Sequence, residues 1–168
     1  ITNLSDKYEE MGNSVKGSIM HPKELKKFNK ESAKKKKKKK KEKDEVDESI
    51  FVLNFKGDIQ ATEVEKLKQE INAILLADTE CSEVVVKVES GGGSAYAYGL
   101  CAAELKRLVD NGINLTVCID KVAASGGYLM SCVASKIIAA PWAIVGSIGV
   151  IAQLPNFHRL LKKNLIDL

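Results

Sequence analysis

The chain has 168 residues, 45% of them hydrophobic and 29% charged. That suits one globular domain with a real core plus an appendage, and excludes a wholly disordered chain. The formal charge of +4 comes largely from one run, Lys34 to Lys41, and the remainder is slightly acidic. A general nucleic-acid-binding surface is therefore not expected.

Residues 1–49 read as one charged, Lys-rich region, a helical or disordered arm. LSDKYEEM and ELKKFNKESAKKKK have helical character but little apolar surface, and the lysines repel one another. The run suits a solvated linker, with an anchor to acidic lipid as the next reading. From residue 50 onward the texture is that of a folded domain.

SIFVLNF is a short β-rich run stopped by Gly57. Val64, Leu67, Ile71, Ile74 and Leu75 then recur at helical spacing. Residues 83–89, EVVVKVE, predict a second strand and SGGGS a turn. Ala95 to Val109 predicts a second helix, stopped at Asn111-Gly112, and residues 113–119 a third strand. A helix is expected from Gly126 to Ser135, then strands in KIIAA and AIVGSIGVIA, then a last helix in PNFHRLLKKN with Pro155 in its first turn. Residues 137–152 carry no charge but are too short and too broken by Pro and Gly for a membrane span, so they predict buried strands. Strands alternating with helices imply an α/β fold with mainly parallel strands.

In such a sheet, sites gather at the carboxyl ends of strands. Two of those ends are glycine-rich, Ser90-Gly91-Gly92-Gly93-Ser94 and Ala124-Ser125-Gly126-Gly127. The first lacks a phosphate-loop pattern and suits an oxyanion hole or a plain turn. Ser125 stands at a strand-to-helix junction, as a nucleophile would, but also as an ordinary N-cap would. Its base is not evident. His21 lies in the charged arm and His158 has no carboxylate beside it in sequence; Lys87, Lys121, Lys136, Lys162 and Lys163 lack an evident dry environment. Cys81, Cys101, Cys118 and Cys132 have no metal-ligand or CxxC spacing, and all but Cys81 read as small core residues in apolar elements. No metal or cofactor is implied.

The stretches VVVKVESGGGSAYAYGL, KVAASGGYLMSCVASKIIAAP and AIVGSIGVIAQLPNFHRLLKK closely resemble the signal-peptide peptidase A family, within it the SohB branch. The resemblance implies a ClpP/crotonase-like fold of stacked βα units and a serine endopeptidase with a Ser-Lys dyad. Ser125 matches the nucleophile, Gly126 and Gly92 the oxyanion hole with Gly93 next in rank, and Ser147 a serine that orients the lysine. The lysine matches no residue here and is expected beyond residue 168. Residues 50–168 would then be the N-terminal part of the peptidase domain, inactive or nearly so by themselves. Gly91 stands where the family usually has proline, which leaves the loop freer.

The implied substrates are signal-peptide remnants or other membrane-associated peptides. The implied location is the bacterial inner membrane, single-pass through an anchor preceding the arm, with the side of the peptidase domain left open. A homo-oligomer is expected and a nucleic-acid partner is not. The rivals are an acyl-thioester enzyme of the same fold, a non-catalytic membrane-tethered binding module, and a polyanion-binding protein using the lysine run.

Overall fold

In a computed structural model, residues 1–21, 24, 28, 49–77, 81–152 and 155–164 are described. The lysine run and the second helical stretch of the arm lie outside the described residues, apart from single positions. The chain divides into two compact units, Ile1–Asp47 and Glu48–Leu168.

In the first unit α1 spans Leu4–Ile19. Asn3 Oδ1 accepts the Asp6 N–H at 3.1 Å, so a side chain caps the helix start, and Asp6 and Lys16 complement the helix dipole at its two ends. None of its residues is buried.

The second unit is built on parallel strands. Its elements are β1 (Ser49–Gly57), α2 (Val64–Leu76), β2 (Cys81–Ser90), α3 (Ala95–Asp110), β3 (Asn114–Ile119), β4 (Val122–Ala124), α4 (Gly126–Ser131), β5 (Lys136–Ala139), β6 (Ile144–Gly146) and α5 (His158–Lys163). The sheet runs β5-β3-β2-β4-β6, with β1 also paired to β2. Every one of these pairings is parallel. The mixed α/β arrangement is that of the ClpP/crotonase-like fold.

The core follows from two periodicities. Val84, Val86 and Val88 of β2 are buried on one face, at the period of two that a strand imposes. Leu67, Ile71 and Ile74 of α2, and Cys101, Leu105 and Leu108 of α3, bury the stripe that a 3.6-residue period brings onto one side. Burying each of the larger aliphatic side chains contributes roughly 1.5–3 kcal/mol. The opposite face of β2 is polar: Lys87 pairs with Asp120 at 3.0 Å, and Lys121 with Glu89 at 3.1 Å. At the end of α3, Gly112 turns the chain at φ +77° and Ile113 N–H returns to Leu108 O at 3.0 Å, so Asn111-Gly112 is the helix stop.

Six expectations need correction. The third strand is followed, after a break at Asp120-Lys121, by the short strand β4, which leaves β3 to join the ladder on β2 further along. Helix α4 ends at Ser131, not Ser135. Strands β5 and β6 are exposed, not buried: each is an edge strand paired on one side only, β5 to β3 and β6 to β4. Residues 147–152 form no strand. Helix α5 begins at His158 with Phe157 at its N-cap, so Pro155 precedes the first turn. Cys132 is exposed and Cys118 half-buried, so of the three cysteines assigned to the core only Cys101 is fully buried.

Candidate active site

Three parallel strand ends lie side by side in the order β2-β4-β6. Ser90 of β2 is in register with Ala123 of β4, and Ala124 with Gly146 of β6. Two residues past the first pair stand Gly92 and Ser125. One residue past the second stand Ser125 and Ser147. Register alone therefore places Ser125 between the glycine loop and Ser147. The Ser125 N–H donates to Gly146 O at 2.7 Å, which fixes it to the β6 side.

Ser125 adopts φ +50°, ψ −117°. This mirror-image region suits glycine and strains any residue with a Cβ, by about 1–3 kcal/mol. Its side chain makes no capping bond to α4, although it occupies the N-cap position. The helix-cap reading of the serine is thus set aside. Ser147 is likewise held at positive φ, +54°, next to the carbonyl that receives the Ser125 amide. It is exposed.

The glycines around Ser125 have steric reasons. At Gly92, φ is +87°, and a Cβ there would stand 2.7 Å from Ala124 O, from Gly126 N and from Ser125 Cβ. A Cβ at Gly126 would stand 2.4 Å from Cγ of Tyr98. Only bare backbone lets the two turns come this close. Gly126 opens α4, so its N–H has no acceptor within the helix. The Gly92 N–H, by contrast, donates to Ser90 Oγ at 3.0 Å. Gly92 is where the sequence put it, but its amide is engaged on Ser90. Gly93 N–H meets no acceptor among the described residues, and its own backbone packs on Ile59, a Cβ there falling 2.1 Å from Ile59 O.

Behind the glycine loop lies a pair that sequence reasoning missed. Tyr98 of α3 is fully buried, and its hydroxyl lies 2.5 Å from Ser90 Oγ and 2.7 Å from Asp58 O. A carbonyl can only accept, so Tyr98 donates to Asp58 O and Ser90 donates to Tyr98. The result is one directed chain: Gly92 N–H to Ser90 Oγ–H to Tyr98 Oη–H to Asp58 O. Burial pushes the Tyr98 hydroxyl above its ordinary range, which keeps the proton this chain requires. The signal was present in sequence only as Gly57, Gly126 and Gly127. A Cβ at Gly57 would stand 2.3 Å from Tyr98 Oη, and one at Gly127 2.8 Å from Ser90 O.

Within the second unit, the lysines and the histidine considered earlier lie in exposed settings. Lys87 and Lys121 face carboxylates in exposed ion pairs, the reverse of the dry pocket that a neutral lysine needs. Lys136, Lys162, Lys163 and His158 are exposed. Among the described residues no group of three or more His, Cys, Asp or Glu is placed to hold a metal ion, and no helix is long and apolar enough to cross a membrane.

Comparison with known proteins identifies the family. Residues 1–105 match Peptidase family S49 N-terminal and residues 107–168 match Peptidase family S49. The chain is 52% identical over 169 aligned residues to "Probable protease SohB" of Buchnera aphidicola subsp. Schizaphis graminum, covering 98% of the chain and 49% of that relative. It is 56% identical over 119 residues to the protein of the same name from Buchnera aphidicola subsp. Schlechtendalia chinensis (71% of the chain, 39% of the relative). Against that of Haemophilus influenzae the figure is 55% over 118 residues (70% and 33%). The chain thus spans a third to a half of the length of these relatives. With both family descriptions matched in order, and the SohB resemblance borne out along nearly all its length, the chain belongs to peptidase family S49.

Proposed function

We propose that the whole protein is a serine endopeptidase in which Ser125 is the nucleophile. The observation that carries this is the serine's own conformation. A strained backbone at the end of a parallel strand, a side chain free of the cap bond open to it, and two glycine-lined backbones within contact distance suit a hydroxyl kept for chemistry.

Ser125 Oγ attacks the carbonyl carbon of the scissile bond while a neutral lysine takes its proton. The tetrahedral oxyanion is met by the Gly126 N–H and by the Gly92 N–H, which keeps its bond to Ser90 Oγ and shares its hydrogen with the oxyanion. Collapse returns the proton to the leaving amine and leaves an acyl-serine, which water hydrolyses with the same lysine as base. The lysine comes from the length of the relatives that this chain does not match, and Ser147 orients its amine. Substrates are signal-peptide remnants or other apolar, membrane-associated peptides. The setting is a bacterial inner membrane, reached through an anchor ahead of the arm. Assembly is homo-oligomeric, with the apolar strands β5 and β6 as natural contact surfaces.

Fluorophosphonate labelling tests the assignment. The full-length protein labels at Ser125 and its Ser125→Ala variant neither labels nor cleaves. The 168-residue chain labels slowly or not at all. Stoichiometric labelling of that chain refutes the absent-lysine account, and full cleavage by Ser125→Ala refutes Ser125 as the nucleophile.

The second reading is a membrane-tethered binding module that keeps the fold without the chemistry. It is favoured by the Gly92 amide being held on Ser90 Oγ. In that case full-length protein leaves the probe untouched, yet still binds apolar peptides when Ser125 is alanine.

A further inference from the structure

We infer that Tyr98 is a positioning residue for the reaction, acting through Ser90 on the glycine loop and through its ring on the first residue of α4. This rests on the peptidase reading above.

Tyr98 touches three segments that are distant in sequence. Its hydroxyl holds the turn after β1 by donating to Asp58 O at 2.7 Å. It receives the Ser90 hydroxyl, and Ser90 in turn receives the Gly92 N–H at 3.0 Å. Its side chain lies where a Cβ of Gly126 would be, 2.4 Å from Cγ and 2.7 Å from Cδ2. Phe55 packs edge-on against the ring, with centroids 6.3 Å apart at 77°.

Both backbone segments beside Ser125 are therefore set by one side chain. Each hydroxyl in the chain has a single proton, and each donor has one acceptor. Removing either hydroxyl leaves a neighbour free to turn. Without the Tyr98 hydroxyl, Ser90 Oγ–H has no partner in the directed chain and can rotate toward the glycine loop. Without Ser90 Oγ, the Gly92 amide loses the acceptor that fixes its plane. In both cases the core packing of the ring is intact but the loop beside the nucleophile is no longer held in one orientation. A loss of orientation acts on the reacting geometry more than on binding.

The test uses the full-length protein with fluorescent casein as substrate and a fluorophosphonate as the Ser125 probe. Tyr98→Phe keeps the ring and removes the hydroxyl. It lowers kcat about tenfold, with KM changed by less than about threefold and the rate of Ser125 labelling falling in parallel. Ser90→Ala does the same, and the double variant loses no more than either single one, since both cut the same chain. Leu105→Ala, a core truncation away from the loop, lowers the melting temperature but leaves kcat at wild type below its transition. If Tyr98→Phe keeps wild-type kcat while melting earlier, or if the two losses multiply in the double variant, the inference is overturned. Should Tyr98→Phe not fold, the kcat and KM of Ser90→Ala decide it by the same criteria. Ser125→Ala, measured alongside, separates the two levels. Cleavage by that variant brings down Ser125 as the nucleophile, whereas an inactive Ser125→Ala beside a fully active Tyr98→Phe brings down this inference alone.

Discussion

Replacing Ser125 by glycine should make the protein more stable while destroying its reactivity. At φ +50° and ψ −117° the serine occupies a region that a Cβ makes unfavourable by about 1–3 kcal/mol. Glycine occupies it without strain but has more unfolded-state freedom to lose, which offsets about 0.5–1 kcal/mol. At the middle of these ranges the net gain is about 1 kcal/mol, or roughly 2–4 °C in Tm for a chain of this size. Ser125→Ala is the control. It removes the hydroxyl but keeps the Cβ, and the side chain caps nothing, so its stability stays within about 0.5 kcal/mol of wild type. Urea titrations of the three proteins, with equal m-values, give the strain less the glycine offset as the difference between Gly and Ala. If Ser125→Gly is no more stable than Ser125→Ala, the serine is not strained and the conformational argument for its role fails.

The neighbouring glycines should divide sharply. Gly92→Ala places a Cβ 2.7 Å from two backbone atoms at φ +87°; it should cost about 2–4 kcal/mol and abolish Ser125 labelling in the full-length protein. Gly91 has open space around it and no left-handed φ, so Gly91→Ala should raise stability by about 0.4–1 kcal/mol in urea melts and leave labelling intact. The thiols should differ as well. Burial pushes Cys101 up to about 11, so at pH 8 maleimide should modify exposed Cys132 first and reach Cys101 only on unfolding, as mass spectrometry of digests would show. The sign for stability follows. The unfolded thiol ionises near its ordinary value of 9.0 while the folded one stays protonated, so the Cys101 contribution is intact below pH 9 and is lost as pH rises from about 9 to 11. Cys101→Ala should flatten that decline in urea titrations.

Local pattern made most of the frame legible. The stripe Leu67, Ile71, Ile74 and the alternation Val84, Val86, Val88 each report a face toward the core, and together they give a parallel α/β unit. Ser125 and its glycines were legible because small residues at a strand end are rare without cause. What stayed hidden depends on pairings between distant segments. Nothing around Asp120-Lys121 shows that β4 will leave β3 for the end of β2. The exposure of Ile138 and Ile144 follows from their edge positions in the sheet, not from their own apolar character. Tyr98 reads as one more residue of an apolar helix until its hydroxyl is seen between Ser90 and Asp58. The direction of the Gly92 amide, too, follows from where Ser90 Oγ points and not from the glycine itself.

The pairing of Ser90 with Ala123 bridges 33 positions of chain. Until that long loop closes, Ser125 is an ordinary hydroxyl on an unremarkable peptide, with no second backbone alongside it. On the proposed role of Ser125, a polypeptide emerging from the ribosome, or one unravelled by heat, would carry that hydroxyl disarmed. Reactivity would then arrive only with the finished sheet, and an immature copy would be no hazard to its neighbours.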